Sequence, residues 1–153
     1  MSSTGYKRPE SVLVVIHTPD LQILMLERAQ HPGYWQSVTG SREGNESYLE
    51  TAVREVGEET GLVVRPEQLH AWPGENVYTI MPEWKHRFAP DVTHNRERVF
   101  SLCLTSPVDI TIAEAEHRAW CWQPCDEAAA ACFSASNREA ILALKTMPHP
   151  CYP

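Results

Sequence analysis

Residues 40–62 read GSREGNESYLETAVREVGEETGL, and the fold turns on this stretch. It crowds Glu46, Glu50, Glu55, Glu58 and Glu59 into a few turns and closes on Gly61-Leu62. Glu55 and Glu59 stand four apart, which on a helix stacks them on one face, where like charges cost about 0.2–0.5 kcal/mol. A divalent cation would relieve that repulsion, and helix neighbours at this spacing suit carboxylate oxygens closing on Mg²⁺ at about 2.0–2.1 Å. The segment also carries its own boundaries. Ser47 followed by Glu50 reads as a capping box, so the helix is predicted to begin near Tyr48. Leu49, Ala52, Val53 and Val56 recur at the three-and-four spacing of a buried stripe. Gly61 supplies a left-handed residue just past the end, which predicts a stop near Thr60. With Gly40, Gly44 and Asn45 as turn formers ahead of it, the unit is a loop, a helix and a loop.

The spacing is more specific than the charge. Gly40, five residues, Glu46, seven residues, Arg54-Glu55-Val56, one residue, Glu58-Glu59, one residue, Gly61-Leu62 matches the signature of the Nudix family, which the chain therefore resembles. The resemblance implies an α/β fold, an α/β/α sandwich around a mixed sheet with a loop-helix-loop catalytic unit. It also implies hydrolysis of phosphoanhydride bonds with Mg²⁺, or Mn²⁺ as a substitute. On the same basis Glu55 and Glu59 are expected on the metal, and Glu58 is either a third ligand or the group that orients or deprotonates water. Arg54 is expected to hold a catalytic glutamate in place, and Glu46 to support the loop. A further ligand is expected from a late loop, where Glu114 and Glu116 are the candidates and Glu116 is favoured. Gly44 and Asn45 stand where the family loop usually carries a Glu and then a Gly, so Asn45 is expected to adopt the glycine's conformation at some cost.

Features outside this box resemble one folate-pathway branch of the family, whose substrate is dihydroneopterin triphosphate. They are YKRP at 6–9, VLVVI at 12–16, WQSVTGS at 35–41, HRFAP at 86–90 followed by VTHN at 92–95, EHRA at 116–119 and SASNR at 134–138. The resemblance implies cleavage to dihydroneopterin monophosphate and pyrophosphate, with Lys7, Arg28, Thr39 and Ser134 on the substrate and Glu116 on metal. The alternative is a broader nucleoside triphosphate pyrophosphatase acting on dATP or oxidised purine nucleotides, since pterin and purine are both flat and edged with hydrogen-bonding groups. A non-catalytic ligand sensor of the same fold often lacks the glutamates of the box, and this chain keeps them.

The remaining sequence bounds the reading. At 153 residues the chain is expected to form one domain, with loose ends at 1–5 and 147–153. A net charge of −7 argues against a nucleic-acid partner, because such binding draws on clustered Lys and Arg. An acidic protein still accommodates a small triphosphate when divalent ions neutralise the carboxylates locally. No run approaches the length of a membrane span and residues 1–10 lack a signal-like apolar stretch, so a cytoplasmic location without membrane or obligate protein partner is expected. Cys103, Cys121, Cys125, Cys132 and Cys151 make an odd set without a C-x-x-C pair, which predicts reduced, mostly buried thiols.

Apolar runs at 11–17, 22–28, 35–38, 99–104 and 119–123 predict strands, while prolines at 66, 73 and 82 push 63–72 and 76–81 towards edge strands or loops. Residues 126–133 and 137–145 read as helices. His86, Arg87, Arg96 and Arg98 form a loosely basic stretch that either covers the site or is a plain surface loop. Trp35, Trp120 and Trp122 sit in strands and are expected in the core.

Overall fold

A computed structural model describes residues 5–147 and Cys151; the expected loose ends therefore lie mostly outside the described residues. The sheet is organised around β1 (Glu10–His17), whose near-continuous apolar run is buried on both faces. Its neighbours are β2 (Gln22–Arg28), β4 (Val38–Ser41) and β7 (His94–Cys103), the last running parallel to it and the other two antiparallel. β3 (Trp35–Gln36) and β8 (His117–Pro124) extend the β2 side, while β5 (Leu69–Ala71) and β6 (Asn76–Thr79) pair with β7.

Alternation along β1 sorts its side chains between two cores. Val12, Val14 and Ile16 pack with Ala52 and Val56 of α1 (Tyr48–Thr60). Leu13 and Val15 pack with Ala128, Ala140 and Ile141 of α2 (Cys125–Ala131) and α3 (Ala135–Ala143). The sheet is thus the filling of an α/β/α sandwich, and each fully buried Val, Leu or Ile contributes about 1.5–3 kcal/mol. Trp120 and Trp122 pack against the first core and Trp35 against the second, as their strand positions imply. Among the described residues no helix is long and apolar enough to cross a membrane.

The ends of α1 follow its local signals. Ser47 Oγ accepts from the Glu50 N–H at 3.0 Å while Glu50 Oε1 accepts from the Ser47 N–H at 2.8 Å. Gly61, at φ 76°, closes the helix through its N–H to the Gly57 carbonyl at 2.9 Å. The preceding loop departs from expectation: the positive φ falls on Gly44, at 53°, and Leu21 is the one non-glycine described residue with a positive φ. Asn45 therefore carries no strain, because the turn is taken one residue earlier by a glycine that adopts it freely.

The basic stretch is neither a single cover nor a plain loop. Residues Pro82–Arg87 form a 3₁₀ segment, whereas β7 begins at His94, five residues before the apolar run that marks it in sequence. Arg96 and Arg98 lie on the exposed side of β7 and reach Glu75 at 2.8 and 3.8 Å.

Candidate active site

α1 lays Glu55 and Glu59 on its buried face, at 8% and 1% exposure, together with the apolar residues that anchor it. Room for Glu55 comes from β4: a Cβ at Gly40 would fall inside the Glu55 carboxyl. Both acids border a cleft of about 610 Å³, shared with Lys7, Arg28, Thr39, Glu116 and Ser134. The structure thus gathers in one place nearly every residue singled out for metal or substrate. Arg54 and Glu58 are not among the lining residues, and Glu114 is not either.

Arg54 works from behind. Its Nε and Nη2 donate to the two oxygens of Glu46 at 2.6 and 3.0 Å, and Nη1 donates to Glu55 at 2.7 Å and to Glu58 at 3.1 Å. A fifth bond, Nη2 to the Ser41 carbonyl at 2.9 Å, ties the helix to the end of β4. The guanidinium holds the Glu46 carboxyl down at about 2. Glu58, 56% exposed in its side chain, is the outer carboxylate of this set.

The acids facing the cleft behave in the opposite way. Burial pushes the Glu55 carboxyl up, and the neighbouring Glu59 pushes it further. Burial also raises Glu59, with the charge of Glu116 adding to it. Two buried carboxyls in contact without a cation share a proton, because the second charge is too costly to form. His117, 2% exposed, places Nε2 2.8 Å from Glu59 Oε1, within hydrogen-bonding distance, and burial lowers its own pKa. Glu59 Oε2 has no hydrogen-bond partner. Ligand atoms of Glu59, Glu116 and His117 lie within 4.8 Å of one another. An orphaned buried oxygen, a proton held where a cation would sit and a third carboxylate at the mouth together fit a divalent ion.

Cations line the same cleft. Lys7 is partly desolvated, which lowers its pKa, with Arg87 contributing, and its backbone N–H is bonded to the Arg87 carbonyl at 2.8 Å. Arg28 donates from Nη1 to Gln36 at 3.2 Å and lies over the Trp84 ring at 5.2 Å, while its Nε has no partner. Thr39 gives its hydroxyl hydrogen to the Val12 carbonyl at 2.9 Å, so only its oxygen lone pairs remain for a ligand. Ser134 caps α3, accepting from the Asn137 N–H at 3.4 Å. Asn137 in turn bonds Ser37 twice, at 2.8 and 3.0 Å, which fixes this wall of the cleft to the sheet.

The family model described as NUDIX domain matches residues 7–144. The chain belongs to the Nudix family. Nudix relatives include the dihydroneopterin triphosphate diphosphatase of Escherichia coli K12, 43% identical over 144 residues, with 92% of this chain and 95% of that one covered. The enzyme of that name from Haemophilus influenzae is 37% identical over 139 residues, covering 89% and 87%. The solved structure of the E. coli dihydroneopterin triphosphate pyrophosphohydrolase superposes with a TM-score of 0.83 over 89% of this chain and 94% of that one. The protein is a Nudix hydrolase acting on a small phosphorylated molecule, with a divalent metal as the general requirement of the family.

Sequence reasoning missed several residues of this Nudix cleft. His117 is one, although it adjoins Glu116 in the segment already singled out. Trp84 and Phe133, with ring centroids 5.4 Å apart, form an aromatic wall drawn from two distant segments. Glu97, buried on the strand face that lines the cleft two residues beyond Asn95 of the VTHN stretch, had no signal beyond a polar residue ahead of an apolar run.

Proposed function

We propose that this protein hydrolyses dihydroneopterin triphosphate to dihydroneopterin monophosphate and pyrophosphate, using Mg²⁺ held by Glu55, Glu59 and Glu116, with Mn²⁺ as a substitute. The observation that carries the reading is one continuous cleft joining an acidic cluster and its cations to an aromatic wall, in a close relative of the E. coli diphosphatase. When bound, the metal neutralises phosphoryl oxygens and lowers the pKa of a coordinated water. Lys7 and Arg28 supply further positive charge to the triphosphate, and partial desolvation strengthens that attraction. Arg54 holds Glu55 in place from outside the cleft, and His117 fixes one oxygen of Glu59 so that the other is left for the metal. Ser134 sits at the start of α3, where free backbone N–H groups favour an anion. Thr39 contributes shape and an acceptor oxygen. Glu58, tied to Arg54, shares the charge of the outer rim. A reducing, cytoplasmic setting belongs to the same reading, since all five cysteines are free.

The test is side-by-side turnover of dihydroneopterin triphosphate, dATP and oxidised dGTP by the purified protein in Mg²⁺, with pyrophosphate measured. The pterin triphosphate is expected to have the highest kcat/KM. A purine nucleotide ahead of it by tenfold or more would overturn the assignment.

A further inference from the structure

Glu97 is a carboxylate buried to 4% exposure in the wall of the cleft, on the part of the floor built from β6 and β7. No ion pair reaches it among the described residues, since the two arginines flanking it in sequence turn to Glu75 on the other side of the strand. Its recorded partners are neutral: Asn76 Nδ2 donates to Oε1 at 3.2 Å, and the Ser136 hydroxyl bonds the carboxylate as well. A buried carboxylate without a cation is costly to keep, and a structural role alone is filled at less cost by a glutamine or an apolar residue. Beside it, Asn95 is buried to 3% exposure and spends both amide hydrogens on Ser11 Oγ and the Tyr78 hydroxyl, at 2.7 and 3.0 Å. Asn95 Oδ1 has no partner. This end of the cleft therefore offers acceptors: carboxylate oxygens with unused lone pairs and an orphaned amide oxygen.

We infer that Glu97, assisted by Asn95, reads the ring edge of the substrate and selects a 2-amino-4-oxo pyrimidine edge over an adenine. This inference rests on the pterin triphosphate reading above and names the residues that choose its ring. A 2-amino-4-oxo ring presents a ring N–H directly beside an exocyclic amino group, two adjacent donors that one carboxylate accepts in parallel. Pterin and guanine share this edge. Adenine presents an amino donor beside a bare ring nitrogen, whose lone pair faces a carboxylate oxygen and repels it. Trp84 and Phe133, bordering the same cleft, supply apolar faces against which a flat ring lies. The same geometry explains why this face turns polar on both strands at the cleft: Ser11 of β1 pairs with Glu97 in the register, whereas farther along Leu13 pairs with the buried Val99.

The experiment compares wild type, Glu97→Gln and Glu97→Asp on dihydroneopterin triphosphate, dGTP and dATP, by kcat/KM in Mg²⁺. A glutamine is nearly isosteric and offers one donor and one acceptor, the complement of the adenine edge. Glu97→Gln is expected to lose about a hundredfold on the pterin and on dGTP, mainly through KM, while dATP turnover holds or rises. Glu97→Asp, charged but shorter, is expected to lose on the pterin and dGTP without gaining on dATP. Equal loss on all three substrates in both variants would mark Glu97 as structural and overturn the inference. So would a pterin-to-dATP ratio within about threefold of wild type in Glu97→Gln, or in Glu97→Asp should circular dichroism show the glutamine variant unfolded. A wild type that prefers dGTP to the pterin overturns the pterin reading alone. In that event a collapse of the dGTP-to-dATP ratio in Glu97→Gln upholds the role of Glu97.

Discussion

Raising the pH of the metal-free protein from 6.5 to 8 should destabilise it, and Mg²⁺ should abolish most of that loss. Glu55 and Glu59 both have folded-state pKa values raised above the unfolded ones, by burial first and by neighbouring carboxylates next. The folded protein then keeps a proton that the unfolded chain has already released, so stability falls as pH rises above the ordinary carboxylate range. One shared proton sets the limiting slope at about 1.4 kcal/mol per pH unit. His117 acts in the opposite direction: burial lowers its pKa, so stability rises with pH until the unfolded imidazole has lost its proton near 6.5. Above that value the carboxylate effect stands alone at this cluster, and 1.5 units give a loss of about 2 kcal/mol. For a chain of this size that corresponds to a fall in Tm of about 4–8 °C. Glu97, whose pKa burial raises, is present in both arms, so any contribution it makes cancels in the difference. The assay is thermal unfolding in chelator and in saturating Mg²⁺ across the pH series, with Glu59→Gln as the control whose slope is shallower. A metal-free protein as stable at pH 8 as at 6.5, or an equal fall in the presence of Mg²⁺, would refute the shared-proton account.

Three other perturbations separate holding the site from building the fold. Gly40→Ala places a Cβ inside the Glu55 carboxyl; because the end of a side chain can swing aside, Tm should move little while turnover falls by about a hundredfold, as Mg²⁺ titrations of rate would record. His117→Phe removes the hydrogen bond to Glu59 and should weaken the apparent Mg²⁺ affinity by about 10–100-fold in the same titration, with the far-ultraviolet spectrum unchanged. Arg54→Ala frees Glu46, Glu55 and Glu58 and unties Ser41; urea denaturation should show a loss of about 2 kcal/mol, together with reduced kcat.

The helix at the centre of the site was readable because its signals are local. Ser47, Glu50 and Gly61 specify where α1 starts and stops through bonds that span four residues or fewer, and the register of Glu55 and Glu59 follows from those limits. β1 and β2 were readable for a related reason, since strands buried on both faces are continuous in apolar residues. The start of β7 was hidden because Asn95 and Glu97 put polar groups at buried positions, where alternation normally shows apolar ones. Those residues face a ligand cleft rather than a core, so the pattern fails where function replaces packing. His117 is concealed differently: its meaning lies in a contact with Glu59, 58 positions earlier in the chain. Trp84 and Phe133 likewise become neighbours only through the crossing of remote segments. The turn before α1 shows the reverse case: the spacing assigns to Asn45 a conformation that Gly44 takes instead.

The paired bonds between Asn137 and Ser37 join positions 100 residues apart. On a ribosome, α1 with its caps and glutamates emerges long before α3 and the stretch that carries Ser134 exist. The nascent chain thus holds its charged helix early, while the opposite face of the sheet still lacks the helices that cover it. Closure of the cleft, and with it any hold on a triphosphate, therefore waits on the synthesis of α3 rather than of α1.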